Sequence, residues 1–160
     1  MKKKGFLITF AYFTLLLTVV AIRYLVMTPV VVSGNSMFPT LKDSQRGFSL
    51  KTYDEIERFD IVVVDISDFK DIPEYYIVKR VIGLPGETVS CKDNVIYING
   101  VKIYEPFLNK DSVTADFEIT LGPEEYWCMG DNRSHSLDSR TYGAFSVEQI
   151  YSKNFYKSPF

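Results

Sequence analysis

From Gly5 to Met27 the chain is apolar with a single charge, Arg23. Read as helix at about 1.5 Å per residue, this stretch reaches roughly 34 Å, enough to cross a bilayer. Arg23 lies near its far end, where the guanidinium can snorkel to the interface beside Tyr24. Lys2, Lys3 and Lys4 mark the near end as cytoplasmic, so residues 28–160 are expected on the outer face. A cleavable secretory leader has an apolar core of about 7 to 15 residues followed by a small-x-small site. Here the core is longer and runs into Arg23-Tyr24-Leu25-Val26-Met27, which favours a retained anchor over residues 1–27.

Beyond Met27 the period changes from helical to alternating. Pro29 discourages helix through Thr28, and Val30-Val31-Val32 reads as a first strand. Ile61 to Asp65 is a β-branched run and a second strand. Tyr75 to Ile82 places Tyr75, Ile77, Lys79 and Val81 on one face and Tyr76, Val78, Arg80 and Ile82 on the other. Lys79 is thereby set among apolar neighbours. Gly83-Leu84-Pro85-Gly86 ends that strand. Val95–Ile98 and Val101–Tyr104 flank Asn99-Gly100, a pair suited to positive φ at both turn positions, and predict a two-residue hairpin. Strands are also expected over Phe117–Thr120 and Tyr126–Met129, with a polar loop from Gly130 to Arg133. Ser146 with Gln149 resembles a capping box for a short helix over Val147–Tyr151. The expected fold is mainly β: an antiparallel, partly open barrel on one N-terminal transmembrane helix.

Composition narrows the function. Hydrophobic residues at 46% and charged ones at 24% describe a globular chain. Four of the 18 basic residues and none of the 20 acidic ones precede residue 28, which leaves the outer part with 14 against 20. A net charge of −6 there gives no reason to expect nucleic acid as a partner. The two cysteines, Cys91 and Cys128, permit one disulfide without requiring it, and Cys128 sits in the apolar run Tyr126-Trp127-Cys128-Met129, where a buried core role is favoured. No Cys and His cluster has metal-ligand spacing and no phosphate-binding glycine loop appears, so neither metal nor cofactor is expected.

Candidate chemistry centres on Ser36, in Gly34-Asn35-Ser36-Met37-Phe38-Pro39-Thr40-Leu41, nine residues beyond the apolar segment. A serine hydroxyl attacks well only when a nearby base takes its proton. The chain's one histidine, His135, lies in a polar run whose spacing does not favour a triad with Asp131 or Asp138. A lysine serves instead if burial lowers its pKa, and the strand phase selects Lys79. Ser67-x-x-Lys70 lacks its companion motifs and is read as a chance match.

Ser33–Leu41, Arg58-Phe59-Asp60-Ile61-Val62-Val63, Tyr76–Glu87 and Gly130–Gly143, in that order, resemble the conserved boxes of type I signal peptidases, the serine peptidase family S26. The short chain and single anchor resemble its small Gram-positive forms. The resemblance implies a membrane-anchored serine endopeptidase that removes signal peptides after small residues on the outer face of a bacterial cytoplasmic membrane, with no cofactor and with preproteins and lipid as partners. It implies Ser36 as nucleophile, Lys79 as general base, Ser136 as the serine orienting that lysine, Asp138 and Arg140 as braces, and Met37 as part of the substrate-binding surface. Two positions depart from the pattern: Gly34 stands where some members have a serine that aids the oxyanion, and Ser152 where glycine is common. Self-cleaving SOS-type repressors resemble the catalytic part but carry a DNA-binding domain in place of the anchor. A non-catalytic assembly factor or chaperone for surface-protein or pilus export is the alternative from another class, and it would be expected to have lost the serine or the lysine.

Overall fold

The computed structural model describes residues 2–51, 55–69, 75–108 and 111–158, apart from the side chains of residues 2–4, 6, 22 and 24. Lys70 of the Ser-x-x-Lys match and the side chains of Lys2 to Lys4 therefore lie outside the described residues.

The apolar N-terminal segment forms α1 (Lys2–Val26), whose backbone is helical over 25 residues. Leu7, Phe10, Tyr12, Phe13 and Leu16 are all exposed, so the helix is apolar around its circumference and packs no face onto the domain. Side chains are described without interruption only over residues 7–21, and among the described residues no helix is long and apolar enough to cross a membrane. The helix runs directly into β1 (Met27–Val31), and the Lys51 N–H donates to Val26 O at 2.8 Å, tying its end to the domain.

The remaining elements are β2 (Arg46–Leu50), β3 (Ile61–Asp65), β4 (Tyr76–Gly83), β5 (Thr88–Lys92), β6 (Val95–Ile98), β7 (Val101–Lys102), β8 (Phe117–Thr120), β9 (Glu125–Met129), a 3₁₀ turn (Arg133–His135), α2 (Ser139–Tyr142), β10 (Phe145–Ser146), a 3₁₀ turn (Val147–Gln149) and β11 (Ile150–Lys157). Seven strands make a half-barrel in the order β1-β2-β11-β3-β4-β9-β10, and four make a smaller sheet, β7-β6-β5-β8. All pairings are antiparallel. The mainly β antiparallel expectation holds.

The Asn99-Gly100 hairpin forms as expected, both residues with positive φ, 50° and 79°. The expected helix over Val147–Tyr151 is a correction: the capping box is present, but the turn ends at Gln149 and Ile150 begins a strand. The slot between β2 and β3 takes residues 150–157, and pairing on both edges outweighs the local helical start.

Three apolar clusters support these sheets. Val62, Val64, Val81, Cys128 and Phe145 fill one face of the half-barrel; Val32, Met37 and Leu41 pack on the other with Val78 and Phe155. The smaller sheet closes on Ile82, Val89, Ile96, Trp127 and Met129. Cys91 and Cys128 are buried in different clusters and both thiols are free.

Candidate active site

The loop after β1 is fixed at both ends by main-chain bonds. Val32 N–H donates to Gln45 O at 2.9 Å and Val32 O accepts from Ser44 N–H at 2.8 Å. Gly34 has φ +79°, a left-handed conformation that suits glycine, and its N–H donates to Asp43 Oδ1 at 2.7 Å. Phe38 N–H closes a turn onto Asn35 O at 3.1 Å, and the following Phe38–Pro39 peptide is cis. Met37 and Leu41 anchor this turn in the core, which leaves Ser36 at its surface.

β4 delivers the second group. Ile77 and Val81 pack in the cluster with Val62 and Val64, so the face predicted for Lys79 is buried, as is the opposite face from Arg80 onward. Lys79 is 3% exposed, and its Nζ donates to Ser36 Oγ and to Val78 O, each at 2.9 Å. Burial pushes the pKa of this ammonium down from 10.5 to about 8, opposed chiefly by the nearby Asp138 carboxylate. A lysine of that kind yields a substantial neutral fraction near physiological pH, and the hydroxyl within reach is Ser36.

The segment after β9 forms the floor. Asp138 is fully buried and receives Arg140 Nε and Nη2, both at 2.8 Å, and the Gly130 N–H at 2.9 Å. Burial pushes its carboxyl up, but the Arg140 fork and the Gly130 amide more than offset this and hold it below the usual carboxylate range. Ser136 is brought beside this group: its Oγ packs on Gly130 and helps hold the Asp138 carboxylate ionised, and among the described hydrogen bonds none joins it to Lys79. Gly130 has no room for a side chain, since a Cβ there would lie 2.5 Å from both Ser36 O and Ser136 Cβ.

Met37 requires a correction. It is 0% exposed and belongs to the cluster under the loop, so it holds the loop from beneath and forms no part of the open surface. The apolar pattern around it calls for a core anchor at the start of a tight turn. His135 is exposed on the rim of the groove, and among the described hydrogen bonds none joins its ring to Ser36.

Several residues at the site escape a reading of single positions. Arg80, next to the lysine but on the opposite strand face, donates to Asp131 from Nε at 2.8 Å and Nη2 at 2.6 Å, with its guanidinium 4.1 Å from the centre of the Phe107 ring. Asp131 also accepts from Thr40 of the serine loop. Asn132 N–H donates to Ser36 O at 2.9 Å, and its side chain donates to Asn35 O at 3.1 Å. An arginine among Val78 and Ile82 on a buried strand face was the available signal for Arg80, because such a charge needs a partner.

Ser36 and Lys79 lie on a groove of about 290 Å³ between the end of β1 and the first half of β4, with Ile66, Leu137 and Tyr142 completing its walls. A serine bonded to a buried lysine on an open groove is an arrangement able to carry nucleophilic chemistry at a serine hydroxyl.

Comparison with known proteins identifies the kind. The family described as "Signal peptidase, peptidase S26" matches residues 6–157. Signal peptidase I T of Bacillus subtilis (strain 168) is 42% identical over 132 residues, 74% of this chain and 66% of that protein. Signal peptidase I of Bacillus licheniformis is 44% identical over 132 residues, and signal peptidase I S of Bacillus subtilis (strain 168) 42% over 144, covering 69% and 75% of those proteins and 74% and 81% of this chain. The chain thus spans about two thirds to three quarters of the length of these relatives, just under two thirds for the first. The crystal structure of a signal peptidase I from Enterococcus faecalis V583 aligns with a TM-score of 0.55 at 30% identity, covering 64% of this chain and 99% of that one. The chain belongs to the signal peptidase family, peptidase S26.

Proposed function

We propose that this chain is a membrane-anchored endopeptidase that removes signal peptides from preproteins, with Ser36 as nucleophile and Lys79 as general base. The observation that carries the reading is the 2.9 Å contact between Lys79 Nζ and Ser36 Oγ, made by a lysine whose pKa burial has brought to about 8. Neutral Lys79 takes the Ser36 proton as Oγ attacks the scissile carbonyl. The ammonium so formed returns that proton to the leaving amine as the C–N bond breaks. A water then gives its proton to Lys79 while its oxygen attacks the acyl carbon, and Ser36 Oγ leaves with that proton. Ser136, Asp138 and Arg140 brace the floor beneath Lys79.

The groove supports an extended peptide as substrate. Val81 exchanges both main-chain bonds with Phe59 and Asp60, and Tyr75 O accepts from Ile66 N–H, so the intervening Tyr76 and Val78 turn their peptide groups the other way, toward the groove. β9 pairs with β4 only from Arg80 onward, which leaves this edge open. On the opposite wall Val32 bonds toward β2, so Val31 and Ser33 face the groove. A substrate strand fits between these two edges by main-chain pairing, beside the bond that Val78 O already accepts from Lys79 Nζ, and such pairing reads little sequence. That suits an enzyme acting on many leaders that share only small residues before the cut.

α1 supplies the anchor in this reading. Its backbone of 25 residues is about 37 Å long against a hydrocarbon core of about 30 Å. Lys2 to Lys4 place its start on the cytoplasmic side and residues 28–160 outside.

Ser36→Ala and Lys79→Ala are each expected to abolish preprotein cleavage by the detergent-solubilised protein while near-UV circular dichroism is retained. Product amino termini are read by sequencing; cleavage surviving either substitution refutes the proposal.

A further inference from the structure

Asn132 occupies the N-cap of the 3₁₀ turn Arg133–His135, where an asparagine side chain ordinarily accepts a bond from its own turn. It makes no such bond. Its Nδ2 reaches across 97 positions of sequence to Asn35 O at 3.1 Å, while its own N–H donates to Ser36 O at 2.9 Å. One residue therefore grips two successive carbonyls of the serine loop.

A trans peptide points its N–H opposite to its C=O. With Asn35 O drawn toward Asn132, the Ser36 N–H is aimed away from it. Asn35 and Ser36 line the groove and Asn132 does not, so that direction is into the groove. No described hydrogen bond uses the Ser36 N–H. The amide two residues earlier is not available, because Gly34 N–H is committed to Asp43.

We infer that Asn132 is a positioning residue for oxyanion stabilisation: by holding the Asn35 and Ser36 carbonyls it fixes the Ser36 N–H toward the oxygen of the tetrahedral intermediate. The inference rests on the proposed nucleophilic role of Ser36. Preorganised amides contribute most when charge develops on the substrate oxygen, so loss of the side-chain tether weakens the transition state and leaves peptide binding alone.

The test uses the full-length protein in detergent with a signal-peptide substrate and a peptide boronate, whose tetrahedral adduct on serine places an oxygen where the oxyanion forms. Asn132→Ala, which removes one neutral hydrogen bond, is expected to lower kcat and boronate affinity together by about five- to tenfold. KM and the midpoint of the pH–kcat profile should not move. Asn132→Asp keeps the size but sets a carboxylate oxygen against Asn35 O, and is expected to lose more than Asn132→Ala. Either variant with kcat and boronate affinity within twofold of wild type, or a loss confined to KM or to the pH midpoint, overturns the inference. Ser36→Ala in the same assay separates the two levels: cleavage lost there but untouched in Asn132→Ala overturns this inference alone, and cleavage surviving in Ser36→Ala overturns the nucleophile assignment and this inference with it.

Discussion

Replacing Lys79 by methionine should kill the enzyme and stabilise its fold near neutral pH. Lys79 is 3% exposed, and its pKa falls from 10.5 to about 8 on folding. At about 1.4 kcal/mol for each factor of ten, holding the protonated form inside the protein costs on the order of 3 kcal/mol at pH 7. Methionine is of similar length and carries no charge. It forfeits the bonds from Nζ to Ser36 Oγ and Val78 O, worth about 1 kcal/mol each, which leaves a net gain of roughly 1 kcal/mol. The sign with pH is fixed by linkage. Between about 8 and 10.5 the unfolded chain holds a proton at this lysine that the folded chain has released, so wild-type stability rises across that window and the penalty disappears above it. The advantage of Lys79→Met should therefore shrink from pH 8 upward and reverse near pH 9. Urea unfolding of both proteins in one detergent, followed by near-UV circular dichroism at several pH values, reads the difference and cancels every other titrating group. A difference that is constant from pH 7 to pH 10, or a mutant less stable than wild type at pH 7, would refute the burial argument independently of any activity measurement.

Activity carries the companion signature: single-turnover cleavage should climb with pH through the lysine pKa near 8 and level off above it, and a flat profile would argue against a lysine base. Gly130→Ala forces a Cβ to within 2.5 Å of Ser36 O and Ser136 Cβ, and a displacement of about 1 Å at the nucleophile predicts a loss of about a hundredfold in kcat, against near-normal turnover if the loop were slack. Both cysteines are buried and free, so a thiol reagent should label neither in the native protein and both after denaturation; labelling that needs prior reduction would contradict free thiols.

Elements carried by local pattern were legible in the sequence. The β-branched run of β3, the Asn99-Gly100 hairpin and the strand Phe117–Thr120 lie where alternation and turn chemistry put them. β2 and β11 were not. Arg46-Gly47-Phe48-Ser49-Leu50 lacks a clean alternation, and its Gly47 makes sense only beside β11, where a Cβ would collide with Phe155 and the Tyr156 carbonyl. β11 carries Ser152 and Lys153 buried, so its sequence looks like a surface segment until it is inserted between β2 and β3. Ser152 in place of a glycine is accommodated there by the hydroxyl of Ser49, its buried hydrogen-bond partner. The same divide separates the site residues. A serine in a loop bracketed by glycine and proline, and a lysine in phase with a buried strand face, are local facts. The Arg80–Asp131–Thr40 connection and the grip of Asn132 on the serine loop join residues 40 to 97 positions apart, and no spacing rule encodes them.

The strand order has a temporal consequence. Among the described residues the strand pairing that links the β1–β2 hairpin to the β3–β4 pair runs through β11, the last described strand, while the Thr40–Asp131–Arg80 bonds and the packing of Met37 with Val78 tie the serine loop to β4 directly. A nascent chain lacking residues 150–157 has no main-chain ladder between the two sheet fragments that carry Ser36 and Lys79. Such late, long-range pairing is slow to form. The main-chain support behind Ser36 and Lys79 is thus completed late, and their alignment depends on residues 150–157 as well as on the loops that carry them.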